Sequence, residues 1–269
     1  MSKQRTSSRD VGIRYPLSAP VNWPEDVSYL AEACSPSPNL SPEHKRIFCS
    51  PLPADSPFHP ALLRSQDWTV IKPITSPAHP AYGQSGLFAK KAIPPRTILL
   101  LYFGQVHTEE ESDESSDYDL GVWAPSTGPS GGDGMRLGID ATKMGNEARF
   151  VNDYRGVAQR ANVEFQEYEI PAAAVDSLSD RDDVPALPLR GLYFQSGSRE
   201  IKPGEELLTS YGKGFWAARK PAEVEEDEKA LTEGQAGTIS RQSQAAPVSH
   251  VEAMLARQRA RLQGMKSAR

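Results

Sequence analysis

Apolar residues in this chain come in short runs that alternate with Gly, Pro and acidic stretches, without a long helical period. The run "DWTVIKPI" around Trp68 predicts a strand, and Pro94-Pro95 predict a turn before a second, strongly apolar strand over Thr97–Val106. Further strands are predicted in "GLFA", "YDLGVW", "RLGIDA", "ANVEFQEYEI" and "RGLYFQSGSREI". This succession of short strands predicts a mainly β fold.

The two ends of the chain differ from its centre. Residues 1–60 contain ten of the 23 prolines, and proline at this density blocks regular elements, so we expect a disordered Pro/Ser-rich arm. A folded domain is predicted over 61–218. Residues 219–269 form a charged tail, in which apolar positions on one face predict a basic helix at 250–266.

One segment, "GNEARFVNDYRGV" (Gly145–Val157), has an unusual mixture of residues. Phe150 and Val151 stand among Asn, Asp and Arg residues, which is too polar for a core strand and too apolar for a surface loop. We therefore expect this segment to have both a buried side and a side that binds polar groups.

The composition narrows the classes of function. Thirty basic and 35 acidic residues give a net charge of −5, which argues against a general nucleic-acid binder and favours basic partners. Direct binding of nucleic acid stays an alternative only for the basic helix predicted at 250–266. The longest apolar run, "ILLLYF", is too short to span a membrane, and the start of the chain lacks an apolar signal region.

Several common catalytic arrangements are missing from the sequence. Cys34 and Cys49 are the only two cysteines, so neither a disulfide framework nor a paired-cysteine zinc site is expected. We find no Gly-x-Ser-x-Gly elbow, no His cluster with metal spacing and no phosphate-binding loop. The sequence therefore predicts neither a nucleophilic hydrolase nor a metal site.

Four segments, in this order, resemble the SET domain of protein lysine methyltransferases. They are "GQSGLFAKKAIPPRTILLLYFGQV", "DYDLGVW", "GNEARFVNDYRGVAQRANVEF" and "IKPGEELLTSYGKGFW". Each segment alone is a weak signal, but together they extend over roughly residues 65–216. The resemblance implies a SET-domain fold, with several small β-sheets around a knot-like C-terminal core.

The resemblance also implies an activity. Such an enzyme transfers a methyl group from S-adenosylmethionine to the amine of a protein lysine, and the reaction depends mainly on orientation, a narrow channel and oxygen dipoles. The implied partner is a protein with a basic, lysine-containing tail, histone first, and the implied location is the nucleus. Three alternatives stay open: an inactive SET module that binds basic peptides, a methyltransferase of a non-histone protein, and a cytoplasmic location.

The resemblance assigns roles residue by residue. Tyr211 takes the position of the catalytic tyrosine and Tyr118 that of a channel tyrosine, whereas in isolation both would be read as packed aromatics. The implied cofactor-binding residues are Arg149, Asn152, the backbone of Asp153, and a turn whose backbone faces the methionine part. That turn consists of Ser85, Gly86, Leu87 and Phe88. Trp216, or Phe215 beside it, would stack on adenine or close the domain as a hydrophobic plug.

The chain departs from the family pattern at Gln84, Asp153 and Thr209, and it also lacks the family's cysteines. Thr209 stands where the family commonly has Phe or Tyr limiting the number of methyl groups, so its smaller side chain favours di- or trimethylation. Gln84 replaces the first glycine of the usual Gly-x-Gly, with Gly83 one position early, and Asp153 replaces the usual histidine. The cysteines that often follow the domain and bind zinc are missing. We expect Phe215, Trp216 and the residues after them to cover that side instead.

Overall fold

The computed structural model describes residues 18–63, 65–113, 115–124, 134–172, 175 and 187–212. Several predictions fall outside these residues: the aromatic pair Phe215 and Trp216, the tail at 219–269 and the basic helix at 250–266. Within the described residues, strands dominate and helices are short, which confirms the mainly β prediction.

The elements follow one another in short steps. The helices are α1 (Pro42–Cys49), α2 (Pro60–Leu63) and α3 (Ser65–Trp68). The first strands are β1 (Ser28–Tyr29), β2 (Ser35–Pro36), β3 (Thr69–Pro73), β4 (Ser85–Ala89), β5 (Ile98–Tyr102) and β6 (Gln105–Thr108). They are followed by β7 (Asp119–Ala124), β8 (Met135–Asp140), β9 (Met144–Gly145), β10 (Asn152–Asp153), β11 (Val163–Ile170), β12 (Leu189–Ser196) and β13 (Leu208–Thr209). Two 3-10 turns, Glu109–Glu111 and Glu147–Phe150, lie between strands.

The strands form five small sheets. The larger two have the orders β2-β6-β8-β7 and β11-β12-β5, and the pairs β3-β4, β1-β9 and β10-β13 form the others. One buried cluster joins the two larger sheets and the β3-β4 pair, and Leu99, Leu101, Ile139 and Phe194 are among its most buried side chains. The strand predicted over Thr97–Val106 is therefore two strands, because the chain changes sheet between β5 and β6.

The structure corrects the disorder that the sequence predicted for the N-terminal region. The disorder expected for residues 1–60 does not hold for residues 18–60, which carry β1, β2 and α1 and contribute Leu40, Ile47 and Phe48 to the core. Helix α1 begins with Ser41, whose side chain accepts a hydrogen bond from the His44 backbone, followed by a proline in the first turn. Proline is well tolerated there because the first helical N–H groups have no partner within the helix.

The segment Gly145–Val157 runs beside β13, the last described strand, and we call β13 the C-terminal strand. Strand β10 pairs in parallel with β13, although the two strands are far apart in sequence. The chain leading into β13 also pairs with β4, through the bridge between Phe88 and Glu206 and the bond from Leu207 N to Leu87 O. Asn162 ties down the same stretch, since its side chain bonds to Glu206 O at 2.7 Å and to Leu208 N at 2.8 Å. The C-terminal strand is thus held on several sides.

Candidate active site

A solvent-open cleft of about 720 Å³ lies at the paired strands β10 and β13. Six of the ten residues predicted for the site line it: Ser85, Tyr118, Arg149, Asn152, Asp153 and Tyr211. Its lining also includes His79, Gln84, Asp117 and Arg155, which the sequence did not single out as site residues. The structure therefore brings together residues from four separate stretches of the chain.

Tyr211 is held at both of its ends. Its hydroxyl donates to the carbonyl oxygen of Val151 at 2.9 Å, and its backbone N–H donates to the carboxylate of Asp153 at 2.7 Å. Burial raises the pKa of Tyr211 well above its ordinary value, and the neighbouring Tyr118 and Asp153 raise it further. The hydroxyl consequently stays protonated at neutral pH, with its oxygen able to accept a further hydrogen bond.

Tyr118 and Arg149 form another part of the cleft wall. The guanidinium carbon of Arg149 lies 4.3 Å from the centre of the Tyr118 ring, a cation–π distance. Arg149 is fixed there by its Nε, which donates to Ala141 O at 2.9 Å. Tyr102, behind them, donates its hydroxyl to Tyr118 O at 2.6 Å, and burial raises the pKa of Tyr102 far above its ordinary value.

Asn152 has a single possible orientation of its side-chain amide. Its Nδ2 donates to Ser85 O at 3.3 Å and to Glu206 Oε1 at 2.9 Å. Because both partners are oxygen atoms without a proton to give, the nitrogen must face them and the Oδ1 must face away. Within the described residues that Oδ1 accepts no hydrogen bond, so it is available to a donor in the cleft.

Glu206 connects Asn152 to a histidine that sequence reasoning missed. The Oε2 of Glu206 lies 3.0 Å from His79 Nε2, and the two side chains are only 7% and 10% exposed. His79 Nδ1 accepts a hydrogen bond from Ala81 N at 3.0 Å, so the ring proton is on Nε2 and points at Glu206. No sequence signal joined them, since His79 stands in a Pro-rich stretch 127 positions away.

The Glu206 carboxylate lies so close to the backbone of Gly86 that a side chain at this position would collide with it. A Cβ at Gly86 would lie 2.5 Å from Glu206 Oε1, closer than real Cβ contacts come, and 3.1 Å from the Phe88 ring, which is a tight contact. Ser85–Phe88 make up most of strand β4 (Ser85–Ala89), which confirms the strand predicted in "GLFA" and replaces the turn that the resemblance implied. Leu87 is fully buried in the core and Phe88 is half-buried beside Lys72, so only Ser85 of this stretch lines the cleft.

Residues 84–212, which include every described residue of this site except His79 and its neighbours, match the family model of the SET domain. These residues have the SET-domain fold. The match begins at Gln84 and ends one residue after Tyr211, so it covers the strands and the cleft described above. The prediction of a SET-domain fold is confirmed.

Solved structures similar to this chain include those of KRYPTONITE and ATXR5. KRYPTONITE, in complex with mCHH DNA, an H3(1–15) peptide and SAH, is 19% identical with a TM-score of 0.34, covering 56% of this chain. The chain spans only 25% of that protein's length. ATXR5, in complex with a mono-methylated histone H3.1, is 16% identical with a TM-score of 0.45, covering 69% of this chain and 81% of its own. The comparison with curated proteins found no match.

Asp153, where SET domains usually have histidine, has a fully occupied side chain. Its Oδ1 accepts from Arg155 N at 2.8 Å, and Arg155 Nη1 lies 2.9 Å from its Oδ2, the same oxygen that accepts from Tyr211 N. The side chain is 4% exposed. The carboxylate that stands in place of the histidine is thus paired with the Arg155 guanidinium.

The other departure, Gln84, is accommodated by the preceding glycine. Gly83 has φ +82°, a conformation that favours glycine, and its N–H donates to Ile74 O at 3.1 Å. Gly83 thus supplies the flexible glycine of this turn one position before the place where the SET domain usually has it. Gln84 itself lines the cleft. Trp216 lies outside the described residues.

Metal ligands and membrane spans were sought in the same part of the chain. Among the residues that the structure describes, no group of three or more His, Cys, Asp and Glu side chains is placed to hold a metal ion. None of the described helices has the length and apolar character that a membrane crossing requires.

Proposed function

We propose that the chain is an S-adenosylmethionine-dependent protein lysine N-methyltransferase, with a histone tail as its first candidate substrate and the nucleus as its place of action. The SET domain supports the reaction class. The observation that carries the proposal further is the neutral hydroxyl of Tyr211, fixed 2.9 Å from the Val151 carbonyl in a cleft that also holds Tyr118.

The residues of the cleft fit the chemical groups of this cofactor. The unused Oδ1 of Asn152 suits an ammonium, and Arg149 has more N–H donors than its bonds to Ala141 O and Thr142 O consume, which suits a carboxylate. Ser85, Arg149, Asn152 and the backbone of Asp153, which line the cleft, would hold the cofactor. Stacking of adenine on Trp216 is part of the proposal.

When bound, the cofactor supplies a methyl group on a positively charged sulfur. Tyr211 contributes orientation: its hydroxyl donates to Val151 O, and the hydroxyl oxygen would accept an N–H of the lysine amine. The Val151 carbonyl and the tyrosine hydroxyls add oxygen dipoles, each weak and effective together. A lysine amine, whose free pKa is about 10.4, must lose its proton to water before transfer.

The surface beside the cleft favours a basic substrate. Asp117 is exposed and lines the cleft next to Tyr118, and the 3-10 turn Glu109–Glu111 begins the same connection. The whole chain carries a net charge of −5. A negative field of this kind raises the local concentration of a cationic peptide and its rate of association.

Two measurements test the proposal. Titration calorimetry with S-adenosylmethionine should show binding to the full chain, and labelled cofactor with core histones should give labelled histone. No detectable heat, with circular dichroism confirming a folded chain, would leave an inactive module that binds basic peptides. Label on another protein of a whole lysate, with none on histones, would keep the enzyme and move it to a non-histone substrate.

A further inference from the structure

The side chain of Asp153 makes a contact that joins two distant parts of the cleft. Its Oδ2 accepts the backbone N–H of Tyr211 at 2.7 Å, although the two residues are 58 positions apart. The same tyrosine's hydroxyl donates to Val151, which precedes Asp153 by two residues. The hydroxyl and the backbone N–H of Tyr211 are therefore both hydrogen-bonded to the same short segment, Val151–Asp153.

The carboxylate is built into the fold around this contact. It accepts four hydrogen bonds, from Arg155 N at 2.8 Å, from Arg155 Nη1 at 3.2 and 2.9 Å, and from Tyr211 N. With only 4% of the side chain exposed, the negative charge would be costly without the guanidinium of Arg155. Arg155 is itself 32% exposed, so the pair reaches from the cleft's interior to its rim.

Strand pairing alone does not determine where Tyr211 lies. The parallel register between β10 and β13 ends at Asp153 and Thr209, and the last backbone bond in that direction runs from Tyr154 N to Thr209 O. Tyr211 follows two residues after the end of β13. Past the end of the strand, Asp153 Oδ2 supplies a side-chain acceptor for the backbone N–H of Tyr211.

We propose that Asp153 is a positioning residue for methyl transfer, which acts by holding the backbone of Tyr211 so that its hydroxyl stays at the Val151 carbonyl. This role rests on the proposed function, since it gives Asp153 a part in the reaction through Tyr211. It assigns the side chain a task separate from cofactor binding. The backbone of Asp153 can bind the cofactor while the carboxylate faces Tyr211 and Arg155.

The replacement Asp153→Asn tests this role with almost no change of volume. An asparagine has one acceptor oxygen in place of two, so its amide cannot hold both Arg155 N and Tyr211 N. We expect kcat to fall by about tenfold or more, because a buried hydrogen bond to a charged acceptor is lost. The Kd for S-adenosylmethionine should stay within about threefold. Asp55→Asn, at an exposed position outside the cleft lining, is the matched control.

A second readout does not depend on activity. Hydrogen exchange at the Tyr211 amide, followed by mass spectrometry or NMR on the full chain, should be faster in Asp153→Asn than in the wild type. If Asp153→Asn fails to fold by circular dichroism, Asp153→Ser replaces it, since a serine hydroxyl preserves the turn contact to Arg155 N but is too short to reach Tyr211.

The outcomes separate this inference from the proposed function. Unchanged kcat in an active enzyme, or unchanged exchange at Tyr211, overturns the positioning role. A fall in kcat that is matched by an equal loss of cofactor affinity also overturns it. If the wild type methylates nothing but exchange at Tyr211 accelerates in the variant, the structural role of Asp153 stands and the proposed activity fails.

Discussion

The side-chain amide of Asn152 donates to the carboxylate of Glu206 over 2.9 Å, and the other oxygen of that carboxylate lies 3.0 Å from His79. This contact fixes which atom of Asn152 is left for the cleft. A residue that touches no ligand thus determines how its neighbour presents a hydrogen-bond acceptor. Because Glu206 orients Asn152, a substitution of Glu206 tests the part of Asn152 in cofactor binding.

Glu206→Gln should weaken cofactor binding. The glutamine has one acceptor oxygen for two donors, so either Asn152 or His79 loses its partner and the Asn152 amide is free to rotate. We expect the Kd for S-adenosylmethionine to rise by roughly fivefold to tenfold, measured by titration calorimetry. The neighbouring Glu205→Gln is the control, since Glu205 is exposed and its side chain contacts the Lys202 backbone. Equal affinity in both variants would contradict this account of Asn152.

Gly86→Ala should destabilise the fold and weaken the site together. The added methyl group would lie 2.5 Å from Glu206 Oε1, so the carboxylate has to move. Overpacking of this kind costs about 1–3 kcal/mol in the free energy of unfolding, measurable by urea titration. In a Glu206→Ala background the same substitution should cost clearly less, because the colliding atoms are gone. Equal costs in the two backgrounds would show that the crowding comes from elsewhere.

The strand pattern was accessible from the sequence because each strand carries a local signal of apolar and turn residues. The cleft residues Tyr211, Asn152 and Ser85 could be predicted from their resemblance to family segments. The pair of His79 and Glu206 could not, since nothing in a Pro-rich stretch marks a histidine that meets a carboxylate 127 positions later.

Proline density misled the prediction for residues 18–60. Proline removes backbone donors, but it also fits the first turn of a helix, and "SPEH" at Ser41–His44 carries that signature. Ile47 and Phe48 then bury against the strands. The contact between the Asp153 side chain and Tyr211 was equally hidden, because the fold brings the two residues together where β10 pairs with β13.

Trp23→Ala should reveal how firmly the N-terminal region is attached. The Trp23 ring packs edge-on against Phe150, 5.6 Å between centres, and against Tyr29 at 5.0 Å. Truncating this half-buried ring should lower the free energy of unfolding by about 2 kcal/mol. Val21→Ala, at a side chain that is 78% exposed, should change it little. Equal stabilities of the two variants in urea titration would mean that residues 18–30 do not support the cleft.

Stability should fall at alkaline pH because of His107. Burial by itself opposes the charge on this histidine, but the ion pair with Asp119, 3.1 Å from Nε2 to Oδ1, and the hydrogen bond to the Thr108 carbonyl outweigh it and raise its pKa from 6.5 to about 9. A raised folded-state pKa stabilises the fold fully below pH 6.5, and this contribution is lost as the pH rises through about 9.

The variant His107→Gln tests that contribution. It should be less stable than the wild type at pH 6, by about 2 kcal/mol after allowance for solvent screening, and the difference should shrink towards pH 9.5. Thermal unfolding followed by circular dichroism across this range measures the change. A difference that stays constant with pH would mean that His107 is neutral in the folded protein.

The most direct test of the central claim compares Tyr211→Phe with the wild type for both methyl transfer and cofactor binding. The substitution removes one hydroxyl, and Tyr82→Phe, at an exposed tyrosine, is the matched control. We predict that single-turnover transfer to a histone substrate falls by at least about fivefold in Tyr211→Phe, as the loss of a hydrogen bond of ~1 kcal/mol already requires. The Kd for S-adenosylmethionine should remain nearly unchanged. Transfer that stays within about twofold of the wild type would contradict the role of Tyr211 and the mechanism built on it.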